Sequence, residues 1–183
     1  AHGIGSLVHH QKGRDIVESA TGLRSLVVVY SYHHRNTEKV ARAMAEVLGA
    51  EVKAPKDVRP EDLAQYDLVG LGSGIYGGLM HKDLLALVNA APQTSGKRAF
   101  LFSTMGAPAG AKDRQELVTK RHAPLRAAVE AKGYQVLGEF DSPGWLTLAF
   151  LALFGGINRG RPNEADLASA REFALEMKGK AAG

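Results

Sequence analysis

The segment Tyr30-Ser31-Tyr32-His33-His34-Arg35-Asn36-Thr37-Glu38 gathers hydroxyl, imidazole, guanidinium and amide groups within a short span. These groups donate hydrogen bonds to anionic oxygens. The segment follows the apolar run Leu26 to Val29 and opens a helical pattern. The first N–H groups of a helix have no intrahelical partner, and the helix dipole favours negative charge there. An apolar strand, a polar turn and a helix start therefore predict a phosphate site. Ser31, Asn36 and Thr37 would add side-chain contacts, and the ligand expected is of nucleotide type.

Two further segments begin with serine and have unusual composition. Ser73-Gly74-Ile75-Tyr76-Gly77-Gly78 carries three glycines. Ser103-Thr104-Met105-Gly106-Ala107-Pro108-Ala109-Gly110 is rich in Gly and Pro. Glycine lets backbone approach a flat ligand and accepts positive φ. Either segment alone reads as a tight turn. Together with the first loop, at one edge of a sheet, they read as a single site.

The elements that must position these loops alternate along the chain. Strands are expected at Ser25–Tyr30, Ala50–Ala54, Asp67–Gly72, Arg98–Ser103 and Tyr134–Phe140. Helices are expected at Asn36–Leu48, Pro60–Leu63, His81–Ala91, Asp113–Lys132 and Glu164–Lys178, with a break expected near Pro124. Gly49 and Gly133 suit helix stops. Connections of this length demand parallel strands with right-handed crossovers, which gives a doubly wound α/β sheet. Ligands of such sheets bind beyond the carboxyl ends of the strands.

The 183 residues suit one domain, read as 25–183, preceded by a poorly patterned leader at 1–24 with a tag-like His9-His10. With no cysteine, disulfides, thiolate metal sites and a cysteine nucleophile are excluded, and a reducing, cytoplasmic setting is expected. A net charge of +4, spread along the chain, reads as a solvated surface; no aromatic–basic motif marks a nucleic-acid face. The apolar stretch Trp145–Phe154 is too short for a membrane-spanning helix, which needs about 20 residues. It reads as core, as a lid, or as a homodimer face. No metal-ligand spacing, Ser-His-Asp pattern or paired carboxylates stand out.

Arg35-Asn36-Thr37-Glu38 resembles the Gly-Asn-Thr-Glu end of the phosphate loop in the flavodoxin-like family. Ser103-Thr104-Met105-Gly106-Ala107-Pro108 is similar to the third flavin loop of a branch of that family with a His-His-x-Asn-Thr loop. Phe154-Gly155-Gly156-Ile157-Asn158-Arg159-Gly160-Arg161-Pro162-Asn163 resembles the C-terminal signature of the same branch. The resemblance covers about Ser25 to Lys178. It implies five parallel strands in the order 2-1-3-4-5 and FMN as cofactor.

On that resemblance, Ser31, Tyr32, His33, His34, Asn36 and Thr37 would hold the phosphate. Ile75, Tyr76, Gly77 and Gly78, after Ser73 and Gly74, would flank one side of the flavin ring. Thr104, Met105, Gly106 and Ala107, after Ser103, would border the other. Arg35 stands where the family has glycine. It either strains a loop that needs φ > 0 or adds a charged contact to phosphate.

The function implied is FMN-dependent electron transfer, as a small oxidoreductase acting on a quinone-like or other acceptor, or as a carrier. The alternative is a scaffold without FMN that serves as an interaction module. A receiver domain is disfavoured, because Ser31-Tyr32 and Ser73-Gly74 stand where it needs acidic residues.

Overall fold

The valine-rich segment Ser25–Tyr30 forms β1, buried from Ser25 to Val29 as a central parallel strand must be. The structure, a computed structural model, describes residues 22–107, 112–147 and 155–183. Residues 1–21 of the leader, Pro108 to Gly110 of the third loop with Ala111, and the apolar residues 148–154 lie outside the described residues.

The remaining elements follow in alternation. Helix α1 spans Asn36–Leu48, β2 Glu51–Lys53, β3 Leu68–Tyr76, β4 Leu79–Met80 and α2 Lys82–Ala90. Then come β5 at Lys97–Met105, α3 at Arg114–Ala131, β6 at Tyr134–Pro143 and α4 at Glu164–Ala182. Strands β2-β1-β3-β5-β6 lie side by side in that order, all parallel, as the doubly wound reading requires. The added strand β4 pairs antiparallel with β3.

The period-2 alternation of β1 sends Leu26 and Val28 to one face of the sheet and Val27 and Val29 to the other. The first pair packs with Leu84, Val88, Leu125 and Val129 of α2 and α3. The second packs with Val40, Met44, Ala170, Ala174 and Met177 of α1 and α4. On this second face Gly70 and Gly72 of β3 sit in register with Phe100 and Phe102 of β5. A Cβ at Gly72 would stand 2.2 Å from the Phe102 ring, so the glycines make the space that the rings fill.

Several elements differ from the sequence reading. Strand β3 continues through Ser73-Gly74-Ile75-Tyr76 and turns at Gly77 and Gly78, both at positive φ, into β4. Strands β5 and β6 also run further, to Met105 and Pro143. Helix α3 passes unbroken through Pro124, which lies on its exposed side, where water can satisfy the freed carbonyl. Helix α4 starts with the expected Asn163, in a capping box with Asp166, and extends to Ala182.

Candidate ligand site at the carboxyl edge of the sheet

The carboxyl ends of β1, β3 and β5 surround a cavity of about 370 Å³. That volume falls in the range of small-molecule sites. Asn36 and Thr37 line it from the start of α1, Gly74, Ile75, Tyr76 and Gly78 from the second loop, and Thr104, Met105, Gly106 and Ala107 from the third. The structure thus brings together one group from each of the three sequence-predicted segments.

The first loop enters α1 through a 3₁₀ turn, His33–Arg35. His34 and Arg35 are both left-handed, with φ of +52°. Arg35 therefore holds the strained backbone that the glycine-replacement reading describes. Its exposed side chain forks onto Glu38, with both contacts at 2.5 Å, and Arg42 holds the same carboxylate at 2.7 Å. These guanidiniums keep the Glu38 carboxyl below its ordinary range, with the Arg35 hydrogen bond the largest cause. A carboxylate in the first turn of α1, near an expected phosphate, is thereby compensated.

Arg35 caps α1 with backbone only; Ser31 Oγ accepts from Glu38 N at 3.3 Å. Ser31, Tyr32 and Arg35 line a second cavity of about 480 Å³ on the β2 side of the loop.

Thr37 Oγ1 lies 2.8 Å from Thr104 Oγ1, which ties the first loop to the third in a buried contact. Asn36 Nδ2 donates to the Trp145 carbonyl at 2.9 Å, while Asn36 Oδ1 is buried with no partner. The amide cannot be flipped to cure this, because two carbonyl oxygens would then face each other.

Tyr76 folds back over Gly74, where a Cβ would meet its hydroxyl at 2.9 Å, and the hydroxyl accepts from Tyr32 N at 3.2 Å. Its ring meets Tyr30 and His81 edge-on, and those two rings stack at 3.4 Å.

Ser73 and Ser103 are brought to the site only as backbone. Both are fully buried. Ser73 Oγ donates to the Gly74 carbonyl and accepts from His81 N. Ser103 Oγ donates to Asp141 Oδ1 at 2.8 Å and contacts His122 Nε2 at 2.9 Å. Strand alternation explains this: Thr104 faces the cavity, so Ser103 faces α3. Gly77 sits at the exposed tip of the β3–β4 hairpin.

Several further residues of the site were not assigned to it by the sequence reading. Gly144, Trp145, Leu146 and Arg121 complete the cavity. Trp145 Nε1 donates to the Gly155 carbonyl, and Leu146 exchanges backbone hydrogen bonds with Ile157. Asn158 Nδ2 and Arg114 Nη1 both donate to the Ala107 carbonyl, at 3.0 and 2.9 Å, holding the third loop. Arg114 also pairs with Asp141. Of these, Trp145 was legible as part of an apolar stretch, and Asn158 as part of the resemblance. Ser103, His122 and the Glu139 carboxylate form a triad-like row, yet the serine and histidine are wholly buried, so no substrate reaches a nucleophile there. Among the described residues no His, Asp and Glu cluster could hold a metal, and no helix is long and apolar enough to cross a membrane.

A five-stranded parallel sheet with a cavity at its carboxyl edge, floored by a helix start and walled by two glycine-bearing loops, defines a doubly wound ligand-binding domain. The chain belongs to the flavodoxin domain family, whose model matches residues 27–143. It is 40% identical over 155 residues to an uncharacterized protein of Methanocaldococcus jannaschii, covering 85% of this chain and 98% of that one. Its fold is similar to that of oxidised Flavodoxin 2 from Bacillus cereus, with a TM-score of 0.62 and 16% identity over 86% of this chain and 99% of the other. It is likewise similar to the Fusobacterium nucleatum flavodoxin bound to flavin mononucleotide, with a TM-score of 0.59 and 12% identity over 86% and 99% of the two chains.

Proposed function

We propose that the protein binds FMN in the 370 Å³ cavity and works as a flavin-dependent redox protein. The observation that carries this reading is the buried, unpartnered Asn36 Oδ1 at the start of α1. A ribityl hydroxyl would give it a donor, while the neighbouring helix-start amides suit the phosphate. Asn36 and Thr37, with the first-loop backbone through Ser31, Tyr32, His33, His34 and Arg35, would hold the phosphate and ribityl chain. Ile75, Tyr76 and Gly78 would flank one side of the ring, and Thr104, Met105, Gly106 and Ala107 the other. Family membership and the FMN-bound Fusobacterium protein of the same fold support the choice of flavin.

Bound FMN would supply the electron chemistry. The role favoured is a small oxidoreductase passing electrons to a quinone-like or other acceptor. A net charge of +4 fits poorly with a carrier that docks on basic partners.

The test is the absorption spectrum of the protein after FMN addition and desalting. Retained flavin bands are expected, and reduction by NAD(P)H would then separate an enzyme from a carrier. A colourless, folded protein would remove FMN and leave the interaction module. Arg35 and the 145–154 stretch, as a contact face between copies, motivate that second reading.

A further inference from the structure

A row of polar groups runs beneath the third loop, sealed between α3, β5 and β6. It consists of Asp141, Ser103, His122 and Glu139. Ser103 Oγ gives its only proton to Asp141 Oδ1 at 2.8 Å. Its contact with His122 Nε2 at 2.9 Å therefore needs the proton on nitrogen. Neutral His122 is thus the Nε2–H tautomer, and Nδ1 is a bare acceptor. That atom is buried without a hydrogen-bond partner and faces Glu139 Oε2 at 3.8 Å. Two acceptors confront each other, so the row is one proton short of full pairing.

The row is linked to the cavity through the chain. Thr104 and Arg121, which line the cavity, are the chain neighbours of Ser103 and His122. The charged groups facing the row come from α3 and β6. Arg114 pairs with Asp141, Arg121 reaches Met105 Sδ at 3.5 Å, and Arg126 bridges Glu139 and Glu130.

We infer that Asp141, Ser103, His122 and Glu139 form a proton-binding site beside the cavity, whose proton affinity rises when negative charge enters the cavity. The proton settles on His122 Nδ1 toward Glu139 Oε2; no heavy-atom bond forms or breaks. Arg126, about a third exposed, marks the side of the row nearest solvent. Only the source of the charge, an FMN phosphate or an electron on the flavin, rests on the function proposed above. The electrostatics suit the task. Burial, with the Arg126 charge, holds His122 down at about 4. Burial pushes Asp141 up to about 6 against the pull of Arg114 and Ser103. Such neighbours titrate as one unit, and a new anion raises the proton affinity of the whole.

The experiment is a ¹⁵N NMR titration of the histidine side chains in the flavin-free full chain, with His122→Gln to assign the signal. Ala107→Asp places a carboxylate at the cavity wall without any flavin; Trp145→Glu does the same from the opposite wall should the first fail to fold. The Nε2–H tautomer is expected at neutral pH. Either charged variant is expected to raise the His122 midpoint by about one pH unit, a tenfold gain in proton affinity. Glu139→Gln, whose amide N–H fills the vacancy, is expected to abolish protonation at Nδ1. FMN addition should shift the midpoint upward as the carboxylate does. An Nδ1–H tautomer, or an unmoved midpoint in a folded charged variant, would overturn the inference. Failure of FMN to bind would overturn the functional reading alone, because the charged variants still decide this one.

Discussion

The Trp145 indole lies almost flat on the His34 imidazole, with ring centroids 4.2 Å apart and planes at 17°. His34 Nε2 also contacts Thr147 Oγ1 at 2.8 Å. The loop that enters α1 is therefore tied to the segment after β6, whose Trp145 walls one side of the cavity. Trp145 is the sole tryptophan and lines that cavity. FMN binding is expected to quench intrinsic fluorescence with one-to-one stoichiometry. His34→Ala should weaken binding by loosening the cover, with the quench retained at saturation. A fluorescence signal indifferent to FMN would place the ligand elsewhere.

The hydroxyl pair Thr37–Thr104 gives a sharper probe of the first loop. Thr37→Val keeps the side-chain shape but leaves the buried Thr104 hydroxyl without its partner. A loss of about 1–3 kcal/mol in urea unfolding is expected. FMN affinity should fall by a similar amount in this variant and in Asn36→Ala, measured by fluorescence titration. Unchanged affinity in both would detach the loop from the ligand.

Arg35 combines an unfavourable backbone with a favourable charge. Arg35→Gly relieves the positive φ, so the melting temperature should rise. The same change leaves Glu38 with Arg42 alone, so FMN should bind more weakly. Adding Glu38→Gln to that variant should restore affinity. Tighter binding by Arg35→Gly alone would show that strain, not the charge on Glu38, governs the phosphate loop.

Stability against pH should reveal two opposed groups. The raised Asp141 stabilises fully below its unfolded value near 3.8, and this is lost as pH rises to about 6. The depressed His122 stabilises fully above its unfolded value near 6.5, and this is lost as pH falls to about 4. The wild-type protein should be nearly flat between pH 4 and 6 in urea unfolding. His122→Gln, which keeps the Asp141 contribution, should gain stability on acidification through that window. Asp141→Asn, which keeps that of His122, should lose it. Parallel curves for the two variants would refute the opposition.

The strand order follows from the family resemblance, while the sheet and most helices are legible because apolar runs and helical periodicity survive in a single sequence. The β3–β4 hairpin was not, though its signal was there. Gly77-Gly78 lies between Ile75-Tyr76 and Leu79-Met80, a two-glycine turn between apolar pairs. Reading the glycines as a ligand loop hid the strand. Ser73 and Ser103 join the expected site only because they open its second and third loops. Strands that run further, by four residues in β3 and two in β5, point them away from it. Asn36, Thr37, Gly74 and Thr104 fall at the cavity because helix starts and strand ends are where such sheets open. His122 was invisible, since a histidine within a charged helix gives no hint of complete burial. Arg114 and Asn158 meet at the Ala107 carbonyl only through tertiary packing.

The seam between β3 and β5 has an evolutionary corollary. Gly70 faces Phe100 and Gly72 faces Phe102, each ring occupying the volume its partner gives up. Neither member of a pair can drift alone: a methyl at 72 collides with a ring, and a smaller residue at 102 opens a void. Related chains should therefore exchange these residues in concert, a small side chain on one strand matched by a bulky one on the other. Their joint substitutions would mark the register of the central sheet even where the loops have diverged beyond recognition.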